Sequence, residues 1–173
     1  MKIAVISGSP RKFANTTIMM KYVYDYAKTK NADIKFIDLS EGIDYYRGPK
    51  ENYSETTKQA AKDVTEADIW FVGTPIYNSF FSSAIKNLFE YISYKETAGK
   101  TAGLAIIASG NIGFINVQTI LSQLMNYFRV VTNPKAVFLT TDAIQDGSIS
   151  DEASVRLKEL VDETLLLGTR VKK

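Results

Sequence analysis

Short apolar runs alternate with helical segments along the whole of this 173-residue chain, and that alternation constrains the fold more than any other feature. Five runs read as strands: Lys2 to Ser7, Asp33 to Leu39, Ile69 to Gly73, Ala102 to Ala108 and Lys135 to Thr140. Apolar residues recur at helical spacing over Thr16 to Lys30, Ser54 to Ala67, Phe81 to Lys95, Phe114 to Phe128 and Ser150 to Leu167. Strands that are apolar nearly throughout have no face for solvent. They belong in a parallel sheet with helices on both sides, an α/β fold in three layers (an α/β/α sandwich). Five such strands suit the order 2-1-3-4-5, whose ligand crevice lies outside the carboxyl ends of strands 1 and 3. The length suits one domain over residues 1–173, with core enough to fold without staples. Ser40 to Tyr53 reads as a connecting loop, and Thr74-Pro75 as the break after the third strand.

The chain contains neither histidine nor cysteine. That excludes an imidazole base, a Ser-His-Asp or Cys-His nucleophile, a CxxC redox pair, and zinc or iron–sulfur centres with Cys or His ligands. Redox or hydride chemistry in such a chain has to be carried by a cofactor. The net charge of +2 gives no basic footprint for nucleic acid. No apolar run approaches a membrane span, and Ile3 to Ile6 is too short for a signal peptide, so the expectation is a cytoplasmic protein with no membrane partner.

The first loop, Gly8-Ser9-Pro10-Arg11-Lys12-Phe13-Ala14-Asn15-Thr16-Thr17, leaves strand 1 and enters a helix. It combines a glycine for a tight turn, hydroxyls and an amide at the helix start, and a guanidinium. A helix N-terminus offers unpaired N–H donors and a favourable dipole to a phosphate, and Arg11 could add a bidentate contact. The competing reading is that Asn15 or Thr16 simply caps the helix and Arg11 is a solvated loop residue. Two other phosphate motifs are excluded. No GxGxxG follows strand 1, and Gly99-Lys100-Thr101 mimics a P-loop but has Tyr94 where the motif requires glycine. After strand 3, Tyr77 and Asn78 in Gly73-Thr74-Pro75-Ile76-Tyr77-Asn78-Ser79-Phe80-Phe81 offer a flat face beside a polar group. After strand 4, Ser109-Gly110-Asn111-Ile112-Gly113 is a flexible, donor-rich turn.

Taken together, Gly8-Ser9-Pro10-Arg11 with Asn15-Thr16, then Thr74-Pro75-Ile76-Tyr77-Asn78, then Ala84-Ile85-Lys86-Asn87, resemble the NAD(P)H-dependent FMN reductase family over nearly the whole chain. The resemblance implies a flavodoxin-like fold. It implies that Ser9, Arg11, Asn15, Thr16 and Thr17 hold the FMN phosphate. Pro75, Ile76, Tyr77 and Asn78 would lie along the isoalloxazine, and Ser109, Gly110 and Asn111 along its other edge. The chain departs from the family at Ser79-Phe80-Phe81-Ser82-Ser83, which bears on the width of the substrate mouth. Tyr45, Tyr46, Arg47 and Lys50 are placed at that mouth, as contacts for a 2′-phosphate.

The activity implied is ping-pong hydride transfer from NADPH or NADH through FMN to free flavin, a quinone, an azo compound or a metal oxyanion. No catalytic side chain and no metal are needed. A flavodoxin-type electron carrier is the alternative, but such carriers are strongly acidic and this chain has a pI near 8.6. A flavin-free regulatory or scaffolding domain is a third reading. On helices 81–95 and 114–128, Phe80, Ala84, Tyr91, Ile120 and Tyr127 add an apolar flank beyond what the core needs. With the family's habit of dimerising through these helices, this points to a homodimer or homotetramer.

Overall fold

In the computed structural model, which describes residues 1–172, the strands form where the apolar runs lie. In chain order the first half comprises β1 (Ile3–Ser7), α1 (Asn15–Lys30), β2 (Ile34–Asp38), α2 (Glu55–Glu66), β3 (Ile69–Tyr77), β4 (Phe80–Phe81) and α3 (Ser83–Glu90). There follow β5 (Thr101–Ala108), α4 (Phe114–Tyr127), β6 (Val131–Thr132), β7 (Val137–Thr140), a small hairpin of β8 (Ile144–Gln145) with β9 (Ser148–Ile149), and α5 (Asp151–Val171).

The main path of the sheet runs β2-β1-β3-β5-β6, all parallel, with β7 also parallel to β5. Side chains alternate across it. Trp70, Val72 and Leu104 pack with α2, α3 and α4 on one face, and Ile69, Phe71 and Ile107 with α1 and α5 on the other. This is the expected flavodoxin-like α/β/α sandwich, but with a seven-stranded sheet in place of five strands. The fifth strand is split into β6 and β7 by a segment containing Pro134, which has no N–H for the ladder.

The other additional strand comes from a local correction. β3 does not break at Thr74-Pro75 but continues to Tyr77, with Pro75 buried and opposite Ile107 of β5. Proline is tolerated there because β1 has ended: its last partner on β3 is Gly73, so no ladder bond is lost. Asn78 (φ 50°) and Ser79 (φ 64°) then make a two-residue turn with both φ positive, and β4 returns antiparallel with Tyr77 opposite Phe80. Two positive φ values define the turn whose twist suits a tight hairpin. Phe81 is therefore a strand residue beside Phe80, not the start of a helix over 81–95. Helix α3 is shorter because Ser82 caps its first turn by accepting from Ile85 N–H, and it ends at Glu90.

Candidate functional site

The carboxyl ends of β1 and β3 are brought together by an unusually close backbone approach. Gly8 N–H donates to the Gly73 carbonyl at 2.8 Å, and a Cβ at Gly8 would stand 2.5 Å from that oxygen and from Ile85 Cγ1. A Cβ at Gly73 would collide with Met20. Two glycines side by side thus let the first loop lie directly against β3.

The chain then turns through Ser9, which is fully buried. Its Oγ accepts from Arg11 N–H at 3.2 Å and lies 3.3 Å from the Tyr77 hydroxyl. The Arg11 guanidinium sits 5.1 Å from the centre of the Tyr77 ring, within cation–π range. Sequence reasoning placed Ser9 and Arg11 in one loop and Tyr77 in another; in the fold the three form one cluster.

The capping reading of Asn15 and Thr16 does not hold. Both lie inside the first turn of α1, and the capping position belongs to Ala14, which makes no side-chain bond. By contrast, serines cap α2, α3 and α5 by accepting from the first-turn amides. The first amides of α1 therefore lack a side-chain acceptor at the positive end of the helix dipole. Thr16 is buried, and Thr17 Oγ1 lies 2.9 Å from Ser7 Oγ, which ties the helix start to the end of β1.

Pro75, Ile76, Tyr77 and Asn78 all belong to the β3–β4 hairpin, with Pro75 buried and Asn78 exposed at its tip. The third loop joins this cluster less directly. A Cβ at Gly113, the residue that caps α4, would be 3.8 Å from Ile76 Cδ1, while Ser109, Gly110 and Asn111 are exposed. Asn111 lines a separate cavity of about 600 Å³ with Phe114, Thr140 and Arg156.

Next to the hairpin opens a groove of about 1000 Å³ between α3 and α4. Arg11, Ile76, Tyr77 and Asn78 form one end; Phe80, Phe81, Ile120, Leu124 and Tyr127 form apolar walls; Ser83, Lys86 and Gln123 add polar groups. Among the described residues lining it there are two cations and no carboxylate. Lys86, Gln123 and Tyr127 were not recognised in the sequence as groove residues, because a helical stripe alone does not say which flank faces a cavity.

Tyr45, Tyr46, Arg47 and Lys50 do not line this groove. Their loop is held against α3 instead. Asn87 accepts from Tyr46 N–H at 2.9 Å and donates to the Asp44 carbonyl at 2.8 Å, and Tyr91 donates to the same carbonyl at 2.7 Å. Burial, with the neighbouring Tyr53 and Asp44, pushes the Tyr91 phenol up to about 12. Hydrogen bonds from Ser54 (hydroxyl and backbone) and Thr57 hold the Asp44 carboxyl below its usual range. The Asn of the Ala84-Ile85-Lys86-Asn87 motif is thus a loop anchor.

The family model described as NADPH-dependent FMN reductase matches residues 1–144. An NADPH azoreductase of Bacillus sp. (strain OY1-2) is 30% identical over 164 residues, covering 94% of this chain and 90% of that protein. Among solved structures, an NADH:FMN oxidoreductase in its apo form superposes with a TM-score of 0.82 at 20% identity, covering 96% of this chain and 89% of that one. A flavodoxin, WrbA-like protein from Agrobacterium tumefaciens gives 0.71 at 15% identity, covering 98% of each chain. These two likenesses speak for the fold, and the sequence match over most of the chain carries the assignment. The chain belongs to the NADPH-dependent FMN reductase family.

Proposed function

We propose that the chain is an FMN-binding oxidoreductase that takes hydride from NADPH or NADH and passes electrons to a small acceptor such as free flavin, a quinone, an azo compound or a metal oxyanion. The observation that carries this reading is the cluster at the carboxyl ends of β1 and β3. There Arg11 lies over the Tyr77 ring and the buried Ser9 lies against its hydroxyl, in the loop that leads into an α1 start without a side-chain cap.

The residues fit the group. A phosphate needs N–H donors, hydroxyls and a cation, and Ser9, Arg11, Asn15, Thr16 and Thr17 provide them around one helix start. A flat ring needs close backbone and an aromatic neighbour, which Pro75, Ile76, Tyr77 and Asn78 provide, with Ser109, Gly110 and Asn111 as its other edge. Bound FMN supplies the two-electron exchange that no side chain of a protein without cysteine supplies.

The protein's own work is orientation. Arg11 and the α1 dipole balance phosphate charge. The β3–β4 hairpin would hold the flavin ring, and its orientation there would let a nicotinamide approach for hydride transfer. Groove walls of Phe80, Phe81, Ile120 and Leu124 exclude water around a planar ligand, and Arg11 favours one that carries negative charge, whereas Lys86 is already paired with Glu90.

The chain acts as one domain over 1–173 and works in the cytoplasm. It forms a homodimer or homotetramer through α3 and α4. Half-exposed Phe80 and exposed Tyr127 beside the groove support that interface, whereas Tyr91 turns away to Asp44. Steady-state reduction of FMN, a quinone and an azo dye by each nicotinamide, on protein of known flavin content, tests the activity. Turnover with at least one acceptor is expected, and none with any of the three would refute it. Light scattering on the same sample distinguishes monomer, dimer and tetramer.

A further inference from the structure

Beneath the visible cluster lies a second connection between the first loop and the hairpin, made of two hydroxyls that are both fully buried. Ser82 Oγ donates to the Gly8 carbonyl and accepts from Ile85 N–H at 3.3 Å. Ser82 N–H in turn donates to Thr74 Oγ1 at 3.1 Å, and Thr74 Oγ1 donates to the Pro75 carbonyl at 2.8 Å. Each hydroxyl gives one hydrogen bond and receives one, so nothing polar in the relay is left over.

The ends of the relay identify what it holds. Gly8 immediately precedes Ser9 and lies three residues before Arg11, and its N–H is already fixed on Gly73 of β3. The bond from Ser82 fixes the other side of the same residue, so Gly8 is clamped between β3 and the start of α3. Pro75 heads the hairpin that carries Ile76, Tyr77 and Asn78. Ser82 therefore touches both halves of the site without lining the first loop itself. Sequence numbers show how indirect the link is: Ser82 is 74 positions from Gly8 and eight from Thr74.

We propose that Ser82 and Thr74 are positioning residues that set the spacing between the phosphate-binding and ring-binding halves of the flavin site. This inference rests on the flavin-binding reading given above. Ser82 governs the phosphate half through Gly8, and Thr74 governs the ring half through Pro75. The direct Ser9–Tyr77 contact at 3.3 Å is long for an O–H···O bond, so it does not enforce that spacing alone.

The test compares dissociation constants for FMN and for riboflavin, which lacks the phosphate, measured by quenching of flavin fluorescence well below the melting temperature. In the wild type FMN binds more tightly, and the ratio of the two constants measures what the phosphate contributes. Ser82→Ala lowers that ratio by about tenfold, the loss of roughly one charge-assisted hydrogen bond. Ser82→Thr, which keeps the hydroxyl, restores it. Thr74→Val, nearly the same shape, weakens both ligands by a similar factor and leaves the ratio unchanged. A purely structural role would lower the melting temperature of Ser82→Ala and leave the ratio alone, and that result would overturn the proposal. If Ser82→Ala does not fold, Thr74→Val decides: unchanged affinity for both ligands refutes the relay. Wild-type protein that takes up no FMN would overturn the flavin-binding reading and this inference together. Wild-type binding with an unchanged ratio in Ser82→Ala overturns the inference alone.

Discussion

Gly8→Ala probes the junction on which the whole site depends. The added Cβ would stand 2.5 Å from the Gly73 carbonyl oxygen and from Ile85 Cγ1, far inside van der Waals contact. Ile85 is a buried side chain with some freedom to shift, but the Gly73 oxygen belongs to the central strand of the sheet. Overpacking of this kind costs about 1–3 kcal/mol. Parting the backbones to relieve the oxygen contact would also lose the Gly8–Gly73 bond, about 1 kcal/mol more. The total of about 2–4 kcal/mol lowers Tm by about 4–16 °C in a chain of this size. Trp70 is the single tryptophan and is fully buried, so its fluorescence reports the transition. A double-mutant cycle isolates the cause. Ile85→Ala alone costs about 2–5 kcal/mol, but combined with Gly8→Ala it opens the space that the new methyl needs. The double variant is therefore at least about 1 kcal/mol more stable than the sum of the singles predicts. Wild-type Tm for Gly8→Ala would refute the close-approach argument, and strict additivity in the cycle would assign the cost to the Gly73 oxygen rather than to Ile85.

Three further outcomes are expected. Arg11→Ala weakens FMN binding by about 10–100-fold, as loss of a charged hydrogen bond should, and Arg11→Lys recovers only part because a lysine cannot make the bidentate contact; equal affinity in titrations of all three proteins would count against Arg11. Asp44→Asn lowers Tm at neutral pH. Because the folded carboxyl titrates below its reference of 3.8, its contribution is present above that pH and is lost as the pH falls further, so Tm curves of variant and wild type should converge in acid; a constant offset at all pH values would contradict the assignment. Tyr91→Phe removes the bond to the Asp44 carbonyl, which Asn87 still satisfies, so the loss is about 0.5–1.5 kcal/mol. The same variant removes the tyrosine that ionises near 12 from an ultraviolet titration, and an unchanged titration would show the assignment to be mistaken.

The layers and the core strand order were legible because runs such as Ile69-Trp70-Phe71-Val72 are apolar without alternation, which only a strand buried on both faces produces. The β3–β4 hairpin was not. Its turn is Asn78-Ser79, whereas the strong signal for two positive φ values would have been Asn-Gly. Phe81 also fits the helical stripe that continues through Ile85 and Leu88, so periodicity alone extended α3 backwards. Ser82 three residues before Ile85 was the available sign of a helix start. The first loop and Tyr77 were found through local chemistry, and their contact follows from the parallel pairing of β1 with β3. The split of the third loop, with Gly113 toward Ile76 and Asn111 toward another cavity, depends on the left-handed backbone at Gly113 and left no trace in spacing. The P-loop mimic at Gly99-Lys100-Thr101 has its own explanation: Lys100 donates to the Thr65 and Ala67 carbonyls at 2.7 and 2.6 Å, closing the end of α2.

The central claim is that a chain without cysteine or histidine performs hydride chemistry by holding FMN between the β1–α1 loop and the β3–β4 hairpin. Anaerobic mixing of FMN-loaded protein with NADPH, and separately with NADH, tests it most directly. Rapid loss of the visible flavin band with at least one of them, slowed in Arg11→Ala at matched flavin loading, is the predicted result. A bound flavin that stays oxidised with both would contradict it.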